Sequence, residues 1–152
     1  MKKGRIKRNF PIVIFGVLGF IICICIKLTP KMLNNYTEIM SASLSFSAIV
    51  TAIFFASFSL IPSSSSNKLV SMMENLGTDI KIMDRLLIST GLSFFSSLLS
   101  FISLFLNKTD TSKISTFIIS AWMSATIMMF VSSFLVLRVL ITLVETYNNL
   151  KK

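Results

Sequence analysis

The sequence predicts an all-α fold, a four-helix transmembrane bundle with both termini cytoplasmic. Three observations lead there. The 152-residue chain is 53% hydrophobic and only 14% charged, where a soluble domain carries about 25% charged residues. Its mean hydropathy is +0.80, and the apolar residues gather in blocks too long for a soluble core. Finally, it holds no histidine, five glycines, three prolines and two cysteines. That composition excludes a soluble globular enzyme, a disordered chain, a disulfide-stapled domain and a zinc module.

A helix needs roughly 20 apolar residues to cross a hydrocarbon layer of about 30 Å. Four segments qualify within one integral membrane domain covering residues 1–152. The first, 10–26, is near the lower limit and has Pro11 where a first-turn proline is tolerated. Signal-peptide cleavage needs small residues before the cut. Ile22-Cys23-Ile24-Cys25-Ile26-Lys27 supplies none, so the segment reads as a retained span. The second, 39–61, is closed by Pro62 and the serines at 63–66. The third covers 86–106 and the fourth 114–137. None of the four contains Asp, Glu, Lys or Arg. Beyond Arg138, the tail 138–152 stays apolar as far as Val144, so the last helix is expected to run on out of the hydrocarbon.

Basic residues set the orientation. Lys2, Lys3, Arg5, Lys7 and Arg8 lead the first span, Lys68, Lys81 and Arg85 lie between the second and third, and Arg138, Lys151 and Lys152 follow the fourth. Lys27, Lys31, Lys108 and Lys113 fall on the other side. Eleven of the fifteen basic residues therefore place both ends in the cytoplasm of a multi-pass cell-membrane protein. Lys2, Lys3, Arg5, Lys7, Arg8 and Arg138 are the candidate headgroup contacts. Basic arms beside a bilayer are drawn to anionic lipid by about 1 kcal/mol per charge. Nucleic acid is not an expected partner, because the arm lacks interleaved aromatic platforms.

Between the second and third spans, residues 68–85 form an amphipathic stripe. Leu69, Met73, Leu76, Ile80 and Met83 recur at steps of three and four with charged and polar residues between them, the pattern of a helix with one apolar face. It predicts a cytoplasmic helix that lies on lipid, folds back on the bundle or docks a partner.

Reactive chemistry finds little support. Without histidine there is no imidazole base. The six acids Glu38, Glu74, Asp79, Asp84, Asp110 and Glu145 are scattered. No catalytic residue, metal ligand or cofactor is expected, and Cys23 and Cys25, two apart on a helix, point to different sides. An ion-coupled carrier would want an ionisable side chain within a span. The polar feature of the spans is hydroxyl. In the third, Ser89, Ser93, Ser96, Ser100 and Ser103 follow steps of 4, 3, 4 and 3, one stripe along the helix. Ser41, Ser45, Ala48, Ala52 and Ala56 give four-residue steps in the second span, and Thr116, Ser120 and Ser124 in the fourth. Small residues let helices approach closely and hydroxyls bond across the contact. The stripe therefore predicts helix packing, within one chain or in a homo-oligomer, or a hydroxyl-lined water path. Trp122 is too deep for an interface belt. It should pack on a neighbour, its indole N–H seeking a serine acceptor.

The unit from Ser41 to Leu106 resembles a class of small bacterial membrane proteins. Its features are a Ser/Ala/Phe span, the polar break Ser63-Ser64-Ser65-Ser66-Asn67, an amphipathic segment with the step Leu76-Gly77, and a Ser/Phe/Leu span. Some members look like membrane subunits of phage-defence systems such as Kiwa. The resemblance implies a subunit that senses envelope disturbance and signals to a cytoplasmic protein; the expected function is a non-enzymatic, oligomeric membrane subunit that docks such a partner. It transfers no individual functional residue. The alternative is a pore former, a holin-like protein or channel with a serine-lined path.

Overall fold

The computed structural model describes the backbone of residues 2–63 and 79–150, with side chains at 9–59, 82–142 and 145. Within these bounds every long element is helical: α1 (Lys2–Cys25), α2 (Tyr36–Ser63), α3 (Asp79–Leu104) and α4 (Lys113–Leu150). A single 3₁₀ turn, Pro30–Met32, interrupts the link from α1 to α2.

Three of the helices contain stretches long and apolar enough to cross a membrane, Tyr36–Ser59, Ile82–Leu104 and Lys113–Thr142. The exception is α1, whose apolar part, Asn9–Cys25, is shorter. At 1.5 Å per residue it rises about 26 Å, less than a hydrocarbon layer.

The observed ends correct the expected ones in two places. Residues 79–85 belong to the opening turns of α3 and not to a separate surface helix. The reason is packing: Ile82 and Leu86 are buried against Val136, with Phe54 and Phe58 alongside. The apolar stretch of α3 accordingly includes Asp84 and Arg85, and the Arg85 Nη1 donates to the Leu135 carbonyl at 3.0 Å. α2 also begins earlier and ends later than the span 39–61, taking in Pro62. The tail behaves as its apolar run implies, and α4 continues as one 38-residue helix, about 57 Å long.

The helices alternate in direction. Bonded partners run in opposite order along α2 and α3 (Ser43 with Ser100, Ser47 with Ser97). The same holds along α3 and α4 (Ser89 with Ser132, Ser96 with Thr126). α1 lies along α4, where Ser124 Oγ donates to the Gly16 carbonyl at 2.8 Å and Phe20 meets Phe117 edge-on. Gly16 is needed for this approach, because a Cβ there would fall inside the Met128 side chain. The result is a core of α2, α3 and α4 with α1 attached to the far side of α4.

The two ends of the bundle are closed differently. Tyr36, Met40, Ile119 and Trp122 form a buried cluster in the half away from the termini. At that end the start of α4 is organised by polar side chains. Ser112 Oγ accepts the Ser115 amide at 3.2 Å, an N-cap bond that satisfies one of the first-turn donors. Asp110 takes the Ser112 amide at 2.9 Å and the hydroxyls of Ser112 and Ser115.

Candidate functional site

The polar groups of the bundle converge on its axis. Ser89, Ser93, Ser96, Ser100 and Ser103 are each 0% exposed, enclosed where α3 faces α2 and α4. A serine placed at steps of four and three stays on one side of a helix, so this single face meets both neighbours.

Trp122 is the centre of the arrangement. It is buried, and its Nε1–H lies 3.0 Å from Ser43 Oγ and 2.9 Å from Ser100 Oγ. The two hydroxyls are themselves 2.9 Å apart. Ser100 donates to the Ser96 carbonyl at 3.0 Å, so its one proton is committed. Ser43 is then the donor in the Ser43–Ser100 pair, and Ser100 accepts from both Trp122 and Ser43. Three helices are joined through one indole and two hydroxyls. A turn further along, Ser97 Oγ donates to Ser47 Oγ at 2.8 Å, and Ser96 pairs with Thr126 at 3.2 Å. Ser89 pairs with Ser132 nearer the termini. At the other end the Tyr36 hydroxyl donates to the Ser103 carbonyl. The Ser103 hydroxyl is buried with no hydrogen-bond partner.

Many of the same hydroxyls also return a bond to their own helix, as Ser93 does to the Ser89 carbonyl at 2.7 Å. Such back-bonding satisfies a hydroxyl proton without a neighbour. It leaves the oxygen lone pairs free to accept across the interface, which is how one serine serves two helices.

On α2 the expected contact residues are not the observed ones. Ser41, Ser45, Ala48, Ala52 and Ala56 are exposed on the outer surface, where Ser45 merely bonds back to the Ser41 carbonyl. The inward face carries Met40, Ser43, Ser47 and Phe54 instead. Two interleaved sets of small residues run along α2, and the position of Trp122 selects the second. On α4 the set Thr116, Ser120 and Ser124 is half-buried to buried, and Ser124 makes the contact with α1.

Of the amphipathic stripe, Leu69, Met73 and Leu76 lie outside the described residues, and so does the side chain of Ile80. Met83 is half-buried in the second turn of α3, one position beyond the buried Ile82. Of the candidate headgroup residues, Lys2, Lys3, Arg5, Lys7 and Arg8 lie in the first turns of α1, their side chains outside the described set. Arg138 is exposed on α4. Cys23 is buried and Cys25 exposed. Among the described residues no group of three His, Cys, Asp or Glu side chains gathers as a metal site requires.

Comparisons with known protein families, curated proteins and solved structures give no match to this chain.

Proposed function

We propose that the chain is a multi-pass integral membrane protein of the bacterial cell membrane. In this reading it has four spans, both termini in the cytoplasm and a non-enzymatic role. It acts through its surfaces, binding a cytoplasmic partner and further copies of itself. The observation that carries the membrane reading is the inverted polarity of the bundle. Phe15, Phe46, Phe55, Phe94, Phe101 and Phe134 are exposed, while Ser47, Ser96, Ser100, Ser120 and Ser132 are buried. In water that distribution would leave large apolar areas uncovered. In lipid it puts hydrocarbon against hydrocarbon and lets hydroxyls join helices. α1 serves as the fourth span by lying along α4, with Phe10, Ile14, Ile21 and Ile22 on its outer side.

The enclosure of the serine stripe supports helix packing over a water path, since a conducting hydroxyl must touch water. A defence or envelope-sensing role is the most specific form of the proposal, and the resemblance of Ser41–Leu106 supports it. Four measurements test the proposal. The protein should stay in membranes through alkaline carbonate extraction, with reporters at both ends on the cytoplasmic side. Recovery in the supernatant overturns the membrane reading, and reporters on opposite sides overturn the four-span topology. Leu76→Asp with Ile80→Asp should abolish co-purification of a cytoplasmic protein at unchanged membrane level. An unchanged pull-down rejects docking through that stripe. Liposomes carrying the protein should hold an entrapped dye.

A further inference from the structure

At the end of the bundle away from the termini, a cavity of about 860 Å³ opens between the α1–α2 link and the start of α4. Its size is within the range of small-molecule and cofactor sites, roughly 300–1,000 Å³. Three lysines, Lys27, Lys31 and Lys113, line it. They are three of the four lysines on this side, and among the described residues no carboxylate joins them in the lining. Glu38 and Asp110 are the acids nearby in sequence, and Asp110 is engaged with Ser112 and Ser115. The remaining wall is made of the hydroxyl-bearing Thr29, Thr111 and Thr116 and of three apolar side chains. Ile24, Met32 and Phe117 line the cavity and are exposed, so the wall continues into the outer apolar surface of the helices.

The fold bears differently on two of these lysines. Lys27 follows the last turn of α1 with φ 54°. Its amide bonds the Ile24 carbonyl while the Leu28 amide bonds the Cys23 carbonyl. This is the Schellman termination, whose left-handed residue is usually glycine because a Cβ is strained there. Lys113 opens α4, whose first turn holds no acid. There its positive charge meets the positive end of the helix dipole. An anion in the cavity offsets the charge–dipole conflict at Lys113, whereas Lys27 already suits the negative end of the α1 dipole.

We infer that this cavity binds the headgroup of an anionic phospholipid from the leaflet opposite the termini, its phosphate among Lys27, Lys31 and Lys113 and its acyl chain against Phe117 and Ile24. The inference rests on the membrane reading above. Lipid is the occupant because charge and apolar wall are contiguous, which suits an anion carrying a hydrocarbon tail.

Native mass spectrometry of the full chain, released from nanodiscs of phosphatidylcholine with phosphatidylglycerol, provides the test. The wild type should retain phosphatidylglycerol. Each lysine near an anionic headgroup contributes about fivefold in affinity. The variant Lys27→Gln/Lys31→Gln/Lys113→Gln should therefore lose retention more than tenfold, and the corresponding triple arginine variant should keep it. Lys151→Gln/Lys152→Gln should change nothing. Should the triple glutamine variant not assemble, Lys31→Gln alone, on the exposed 3₁₀ turn, should lose about fivefold. Millimolar inorganic phosphate should fail to displace the lipid; displacement by phosphate at those concentrations would show a headgroup-only anion site and overturn the acyl contact. Unchanged retention in a charge-removed protein that resists carbonate extraction overturns this inference alone. A protein that carbonate extracts overturns the membrane reading and this inference with it.

Discussion

The α2–α3–α4 core and the α1–α4 contact solve the same problem by different means. In the membrane reading neither can use the hydrophobic effect between helices, because lipid would be as apolar as the side chains. The core is cross-linked by hydroxyls, with Trp122 bridging Ser43 and Ser100. The α1 contact depends on shape. Met128 and Ile127 press against Gly16 and Gly19, with one hydroxyl bond from Ser124 to the Gly16 carbonyl. The difference teaches that a directional network fixes one register among three helices, whereas a glycine-based approach holds a fourth by fit. It follows that damage to the core should loosen the whole bundle, and damage to the α1 contact should free α1 alone.

The largest expected effect is at Trp122. Trp122→Ala removes a buried aromatic and leaves Ser43 and Ser100 without their shared donor. A loss of about 3 kcal/mol is expected, the lower end for aromatic truncation in a core. Reversible unfolding in mixed micelles should show the helices melting together at lower denaturant. Melting of α1 alone would contradict the assignment of Trp122 to the core. Next is Gly16→Leu, which overpacks against Met128 at about 1–3 kcal/mol. It should expose the link 26–35 to protease while α2, α3 and α4 keep the wild-type unfolding midpoint. A lowered midpoint for the whole protein would mean that α1 is part of one cooperative core.

A smaller effect sharpens the contrast between the two faces of α2. Ser43→Ala removes the donor to Ser100 and one acceptor of Trp122, and about 1 kcal/mol is expected, within the range for interhelical bonds in membranes. Ser45→Ala, on the outer face, should stay within about 0.5 kcal/mol. Equal losses at the two sites would mean that the inner and outer faces of α2 are wrongly assigned.

Those faces also mark where the sequence could be read and where it could not. The stripe of α3 was legible because steps of four and three pick out one face among Leu, Phe and Ile, although Ser97, which lies off that stripe, also bonds α2. The inward face of α2 was not. Ser43 and Ser47 interleave with Ser41, Ser45 and Ala48, and in a helix with apolar residues all round no hydrophobic contrast tells the two sets apart. The deciding contact, Ser43 with Trp122, spans 79 positions of chain. Similarly, the period of residues 68–85 reads as continuous, yet the buried residues at the start of α3 are Ile82 and Leu86, which lie off that stripe. The gathering of Lys27, Lys31 and Lys113 is tertiary as well: in sequence they only counted against the charge bias that orients the chain.

The smallest expected effect concerns the start of α4 and its response to acid. The Ser115 hydroxyl, followed by the Ser112 amide, holds the Asp110 carboxyl below the usual carboxylate range. Both groups bond the ionised form and so favour it. A carboxyl whose folded value is depressed contributes stability that is fully present above its unfolded value, near pH 4, and lost as pH falls through the lower folded value. The first turn of α4 should therefore be protected from amide exchange at neutral pH and open as the medium is acidified below about pH 4. Asp110→Asn, which cannot ionise, should show weaker protection at neutral pH and no acid transition in that turn. Because Asp110 is at the surface, salt should leave the wild-type transition in place and only shift it toward the usual carboxylate value. An identical acid profile in the variant would assign the cap to Ser112 Oγ alone. Asp110 would then be free to act as a counter-charge for Lys113 beside the cavity.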